Sequence, residues 1–576
     1  MLLILEEFRK AEAQGRFIEA LRRLLKNDEN KPEIVQALAK LHNDNEIDVL
    51  LKFRSINKVD VGYEAFFLSQ LFNEWLLEIS APIDEILNCV THIINLSEGT
   101  GTTQALQEYC KKDRARSESA LFISLELPEF YPLLGAIITA GSTHDFSFFH
   151  SRALLCLESE SDVIRTQALW TCAGLSRNCD HTTFSQTIYS IERLVLASND
   201  ENEKSNALRA LTSISSDREW KDETLCLTVI EKILLVQSAA ILNAAAYAFA
   251  TLNIARQPHL ASLLINHFKN SNTIDLPAIN IISIGLKKYL TSENHLEAFK
   301  FVEFVIEKHR NIKLSNFESF SHDLLTSENK NFLEILITRW LLSDTHELAN
   351  SVSSLVAGEE LKGIPISADI TAVKSLPAGS AALLAKKTCA YLFMYPISAA
   401  SYIISLLPAL PPQESEALGN TLYYPLGISY PGSVRQYVNG LLGPHQQYIQ
   451  NILNKFDERL TEYHHGLNLA NNLEELHPST AQREIYHRKF HQEMSESFKE
   501  SRKNSVITQL MGKPSVILYG NSSIHYIYPG ADKDSIRQET PMHNITTTIE
   551  YPSLDYVDHN QLEYVLRVFK MARIPK

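Results

Sequence analysis

Three stretches of this chain repeat one another at a fixed distance. LLCLESESDVIRTQALWTCAGL begins at Leu154, RLVLASNDENEKSNALRALTSI at Arg193 and KILLVQSAAILNAAAYAFATLN at Lys232, each start 39 residues after the one before. Under that shift Leu155, Leu194 and Ile233 coincide, as do Leu157, Leu196 and Leu235. Ala168, Ala207 and Ala246 coincide too, and Leu169 aligns with Leu208 and Tyr247. Arg165, Lys204 and Asn243 share one polar position. Each unit reads as an amphipathic helix ending in a Leu-rich turn, a short polar turn, and a second helix with Ala where helices cross closely. A helix pair of this size cannot bury its apolar stripe alone, so stacked neighbours must complete the core.

The segment SDVIRTQALWTCAGL, from Ser161, resembles the second helix of a HEAT unit. With the units on either side, over residues 144–255, it is similar to the HEAT/armadillo class of α-solenoids. That resemblance implies Asp162 as a cap, Arg165 on the polar side, and Ala168, Leu169 and Leu175 facing inward. It implies a stack of helix pairs presenting an extended surface, and no single activity. The flanking sequence is helical but degenerate. EAFFLSQLFNEWLLEI, from Glu64, puts Phe67, Leu68, Leu71, Trp75 and Leu76 on one face, and INIISIGLKKYL and FLEILITRWLL read as buried helices. No Pro-, Gly- or Ser-rich linker interrupts them, so one helical array is expected over residues 1–455.

The pattern then changes. LPALPPQ forces a non-helical connection, and TLYYPLGISYPGSV gathers Tyr, Pro and Gly. A charged helical connector is expected over residues 456–513, its main helix starting at Ser479 or Thr480. Strand signals follow at residues 515–519, 522–529 and 544–551, with turns at Gly520–Asn521 and in PGADKD. A last helix aligns Leu562, Val565, Leu566 and Phe569. The expected fold is therefore mainly α: a HEAT-like α-solenoid followed by a small C-terminal α+β module over residues 514–576.

Charge and cysteine content narrow the function. The net charge is -14, which argues against a general nucleic-acid coat. The acidity lies before Ala481. The seven Cys form no CxxC pair, so no disulfide framework is indicated and a reducing, cytoplasmic setting is expected. MLLILEEFRK turns acidic too soon for a secretion signal. The uncharged stretches Ile233 to Ala255 and Thr388 to Gln413 are too polar or too Pro-broken for a membrane span. The composition gives the impression of a bacterial protein.

Chemistry-bearing constellations are few. Glu484, His487 and His491 fall at spacings of three and four on one helical face, with His464, His465 and His477 upstream. They form the candidate metal site, for Zn or another divalent ion, although HExxH is absent and Arg488 and Lys489 flank it. Lys499, Arg502, Lys503 and Lys513, near Tyr486 and Phe498, form a basic patch diluted by Glu493, Glu496 and Glu500. GISYPG, from Gly427, lacks the glycine that GxSxG needs after Ser429 and Tyr430. His144 and Asp145, with His150 and Cys156, suggest Cys–His chemistry, but they precede or lie within the first repeat helix, where core and helix-surface roles are expected. P-loop, kinase and dinucleotide motifs are absent, so no catalytic residue and no cofactor is expected. These features point to a non-enzymatic scaffold or adaptor. Its protein partners would carry basic surface and dock along the array, in a multiprotein assembly of the secretion, conflict or defence kind. The alternatives are a metal-dependent enzyme in the C-terminal module, using Glu484, His487, His491 and His525, and a nucleic-acid-binding HEAT protein.

Overall fold

The computed structural model describes the chain except residues 26–30, 58–64, 98–100, 217–222, 291–293, 310, 358–362, 442–446, 474–477, 505–516, 520–521, 528–535, 542–549 and 575–576. Among the described residues there are 29 α-helices and three short strands, so the fold is mainly α. It divides into two compact units, Met1–Leu324 and Leu325–Lys576.

In the first unit each repeat is a helix pair. The leading helices are Phe146–Cys156, His181–Ala197 and Glu223–Leu234; the second helices are Asp162–Leu175, Glu201–Ser216 and Ala239–Thr251. Short polar side chains start several of them: Asp145, Asp180 and Ser238 accept the N–H of Phe148, Thr183 and Ile241. The cap of the second helix in the first repeat is Ser161 rather than Asp162, which lies in the first turn and accepts the Val163 N–H. There its charge opposes the positive end of the helix dipole.

The second helices pack on one another in succession: Leu134–Gly141, Asp162–Leu175, Glu201–Ser216, Ala239–Thr251, Leu276–Lys287 and Glu318–Leu324. Ala168, Ala207 and Ala246 are all buried, as are Thr171, Ala210 and Phe249 at the same 39-residue step. The small side chains at the three alanine positions let backbones approach closely.

The leading helices do not keep that step. Leu194 and Ile233 are buried, but Leu155 is 57% exposed, and Cys156 and Leu157 take its expected place in the core. From Cys156 and Leu157 to Leu194 and Val195 the step is 38 residues. One residue rotates a helix position by about 100°, enough to move a side chain from core to solvent. For the same reason Leu157 is buried while Leu196 and Leu235 are exposed; on the second helices Leu208 is buried while Tyr247 is exposed. On the helix Ala65–Leu76, Phe67 also faces out, leaving Leu68, Leu71, Trp75 and Leu76 inside.

Several side-chain hydrogen bonds join elements separated by roughly one repeat length. His92 Nε2 meets Ile56 O, and Lys288 Nζ donates to Ala250 O and Leu252 O. Lys308 Nζ donates to Lys269 O and Ser271 O. Within the second unit Lys387 Nζ donates to Ser343 O, Tyr448 Oη to Leu407 O, and Arg459 Nη1 to Asn420 Oδ1. The sequence separations all lie between 36 and 44 residues. The lysines share a further role. Each reaches back to carbonyls at the C-terminal end of an earlier helix, where no intrahelical N–H is available and the dipole is negative. Lys288→Met should therefore cost about 2 kcal/mol, the scale of lost hydrogen bonds to a charged donor, read as a lower denaturant midpoint with an unchanged slope.

In the second unit the helix Ser380–Tyr391 is central. It packs on Lys330–Leu342, His346–Val356, Pro396–Leu406, Pro412–Thr421 and the terminal helix Ser553–Lys570. The helix Gln447–Ala470 runs through residue 455, burying Ile449, Leu453, Phe456 and Leu460, and packs on Pro412–Thr421. The charged helix spans Thr480–Asn504, with Ser479 Oγ accepting the Gln482 N–H at its start.

The expectation of a separate C-terminal α+β module is corrected. Among the described residues the strands are Ile517–Tyr519, Ser522–Ile527 and Ile536–Pro541, antiparallel in that order, with Ile517 opposite Ile524 and Ile527 opposite Ile536. The third strand lies before the expected one, most of which (residues 544–549) is outside the described residues, as are the two expected turns. The last helix packs instead on Ser380–Tyr391 and Leu422–Gly427. Glu550 anchors it, accepting the N–H groups of Gly432 and Ser433 at 2.6 and 2.7 Å, at the start of the helix Pro431–Gly440. Ser553 Oγ donates to Ile428 O at 2.5 Å. On this helix Leu562 of the apolar stripe is buried and Val565, Leu566 and Phe569 are half-buried, a docking that its sequence pattern could not specify.

Among the described residues no helix is long and apolar enough to cross a membrane. The two uncharged stretches are divided among several shorter helices.

Candidate partner-binding surface

The row of second helices in the first unit leaves one edge uncovered. On Asp162–Leu175 that edge carries Trp170, on Glu201–Ser216 Arg209, on Ala239–Thr251 Tyr247, and on Leu276–Lys287 Ile284. The steps between them are 39, 38 and 37 residues, matching the stacking of the helices. Trp170, Tyr247 and Ile284 are 43%, 53% and 45% exposed. The Arg209 guanidinium lies over the Tyr247 ring, 5.1 Å from its centroid, so these two rungs touch.

One helical turn earlier runs a second column: Gln167, Asn206, Asn243 and Asn280, at steps of 39, 37 and 37 residues. The first three are half-buried and Asn280 is exposed. Among the described residues none of these four side-chain amides has a hydrogen-bond partner. A primary amide offers both donor and acceptor, the complement of a peptide group. The edge therefore combines a column of Trp170, Tyr247 and Ile284, with the Arg209 cation among them, and an unsatisfied amide column. Trp, Tyr and Arg are the side chains most often responsible for binding energy at protein interfaces. At the 39-residue step Tyr247 aligns with Leu169 and Leu208, which are buried, rather than with Arg209 and Trp170. The drift from 39 to 37 residues hid both columns.

The sequence-derived site residues lie elsewhere. Glu484, His487 and His491 are exposed on Thr480–Asn504, whose other side presents Tyr486 and Phe490 edge-on to Tyr556 and Tyr551, with centroids 5.0 and 5.8 Å apart. Among the described residues no three His, Cys, Asp or Glu side chains are grouped to hold a metal ion. His464 and His465 lie on Gln447–Ala470, and His477 is outside the described residues. Of the basic patch, Lys499 is exposed; the side chains of Arg502, Lys503 and Phe498, and residue Lys513, lie outside the described part, as does the side chain of His525.

Residues that suggested catalysis are structural. Ser429 is fully buried and its Oγ has no partner, and Tyr430 is buried with its hydroxyl 3.7 Å from Met394 Sδ. His144 Nε2 meets Lys111 O. His150 is buried with Nε2 2.9 Å from Thr187 Oγ1, a helix-to-helix hydrogen bond rather than a link to a thiol. All seven Cys are buried. Burial pushes the Cys89, Cys110 and Cys226 thiols up to about 12 and raises Cys156 as well, so they do not ionise to thiolate near neutrality.

Burial also lowers the pKa of His42, His150, His267 and His309 below the ordinary 6.5. Nearby acids, Asp48 and Glu85 at His42 and Asp180 at His150, oppose the shift without cancelling it. The unfolded chain takes up protons at about 6.5 where the folded chain does not. The first unit should thus hold its stability above that pH and lose it as pH falls below, until the folded rings protonate. Urea midpoints at pH 7.5 and 5.5 check this, with His150→Gln reducing the difference.

Comparison with protein-family models, with curated proteins and with solved structures gave no match to this chain.

Proposed function

We propose that this chain is a HEAT-like α-solenoid acting as a non-enzymatic scaffold or adaptor, with the Trp170–Ile284 edge as its protein-binding surface. The observation carrying the reading is the paired columns, one of Trp170, Arg209, Tyr247 and Ile284, one of unsatisfied amides, repeated helix by helix. Packed helices lie roughly 10 Å apart, close to the length of three residues of extended chain. An extended segment of a partner laid across the row would meet one amide at every third residue, beside Trp170, Arg209, Tyr247 or Ile284 in turn. Its main chain would satisfy the amides, and its apolar side chains would cover Trp170 and Tyr247. The solenoid reading draws support from the helix-on-second-helix stacking and from several hydrogen bonds between elements 36 to 44 residues apart.

The test compares the wild-type chain with Trp170→Ser/Tyr247→Ser as baits in quantitative affinity purification. Both positions are exposed, so the variant should keep its melting temperature within about 2 °C. Proteins held by the wild type should fall at least tenfold. An unchanged partner set would remove this edge as the binding surface.

A further inference from the structure

The second unit contains a concave site of about 620 Å3 where the end of the terminal helix meets the corner between Lys330–Leu342 and His346–Val356. Its lining is strongly basic. Arg567, Lys570 and Arg573 come from the last turn of Ser553–Lys570 and the residues just beyond, and Lys387 from Ser380–Tyr391. Among the described residues Lys570 and Arg573 have no carboxylate partner, while Arg567 reaches Glu563 at 3.2 Å on the exposed surface. Asp344 is the one acidic residue in the lining. Lys387 is buried, with Nζ 2.7 Å from Ser343 O. Tyr391 forms part of the wall, with its hydroxyl 2.8 Å from His346 Nδ1 and the Lys570 ammonium 5.6 Å from its ring centroid. The helix His346–Val356 also begins here, adding the positive end of its dipole.

Basic side chains at a helix C-terminus complement that helix's own dipole, which accounts for Arg567 and Lys570 individually. It does not account for a hollow in which they converge with Arg573 and a buried lysine from another helix. Repulsion among such cations is relieved by an anion of several charges, and a hollow of this volume exceeds what a simple monovalent ion needs.

We propose that this hollow binds a small molecule carrying a diphosphate group, held by Lys570, Arg573 and Arg567 with Lys387 beneath. The same chemistry is supplied by inorganic pyrophosphate and by nucleoside diphosphates, whose base would meet the Tyr391 wall. Because the ligand would touch both the terminal helix and Ser380–Tyr391, it would fasten that helix in place. The site is separate from the partner-binding edge and does not depend on it.

Calorimetric titration of the full chain with pyrophosphate and with ADP tests the assignment, at 50 and 200 mM NaCl. Saturable binding that weakens with salt is expected, and Lys570→Gln/Arg573→Gln should weaken it at least tenfold. These two side chains are not fully buried, so the variant should fold; an unchanged melting temperature verifies this, whereas Lys387→Met risks the fold itself. Arg177→Gln, in the other unit, serves as the unaffected control. Equal affinity for the two ligands assigns recognition to the diphosphate alone, and tighter ADP binding adds the base; both support the site. No saturable binding at millimolar ligand, equal binding by the double variant, or binding of heparin alone would each overturn it.

Discussion

Phe249→Ala is expected to destabilise the first unit by about 4 kcal/mol, the upper range for truncating a buried aromatic side chain. Phe249 is fully buried on Ala239–Thr251, with ring centroids 5.7 Å from Phe268 and 6.1 Å from Tyr289. It also fills the space left by a missing side chain on the next helix of the row. A Cβ added at Gly285 would lie 2.2 Å from Phe249 Cδ1 and 2.9 Å from Phe249 O. The two positions are therefore complementary. Gly285→Ala alone should also destabilise, by about 2 kcal/mol through overpacking, because both ring and backbone stand in the way. In Phe249→Ala/Gly285→Ala the second change loses its clash with the ring, so the double variant should be more stable than the sum of the singles implies. Urea denaturation of the four chains measures the coupling, and strict additivity would contradict the packing described.

Arg165→Met is the second large effect, about 3 kcal/mol. Arg165 bridges consecutive second helices: its Nε contacts Glu203 Oε1, and its Nη1 donates to Ser159 O and Glu160 O, both at 2.8 Å. The Glu203 side chain is only 6% exposed. Removing the guanidinium leaves a carboxylate in the interior with its partner gone, which costs more than the intact pair contributes. Glu203→Met in the Arg165→Met background removes the stranded charge and should recover most of the loss. Because the pair joins successive repeats, the damage should appear as lost cooperativity between neighbours as well as a lower midpoint. A double variant no more stable than Arg165→Met would show that Glu203 is hydrated.

Arg165 also shows what a sequence reading reaches. Its place on the polar side of a second helix was implied by the resemblance to a HEAT unit and by the polar position it shares with Lys204 and Asn243; that it is a bridge, partly withdrawn from water, was not. The partner Glu203 is 38 residues away and falls at a position occupied by Ile164 and Leu242 in the neighbouring repeats. An acid on an apolar column looks like a degenerate repeat until the facing helix supplies its cation. The candidate surface was hidden for a related reason. Asn243 was visible as a polar position equivalent to Arg165, but its alignment with Asn206 and Asn280 requires a shorter step than the 39 residues that align Ala168, Ala207 and Ala246.

Local composition by itself determined the helical character of the chain, the pairing of helices around residues 144–255, and the burial of the three alanines. These depend on periodicity within one or two helices, which a linear pattern records directly. Only the tertiary structure decided which leucines point inward, where the last helix docks, and which side chains line the uncovered edge. The docking of the last helix depends on contacts more than a hundred residues apart, and the other two on rotation and register between helices about forty residues apart. A one-residue change in connection length there exchanges core for solvent while leaving the hydrophobic pattern nearly intact.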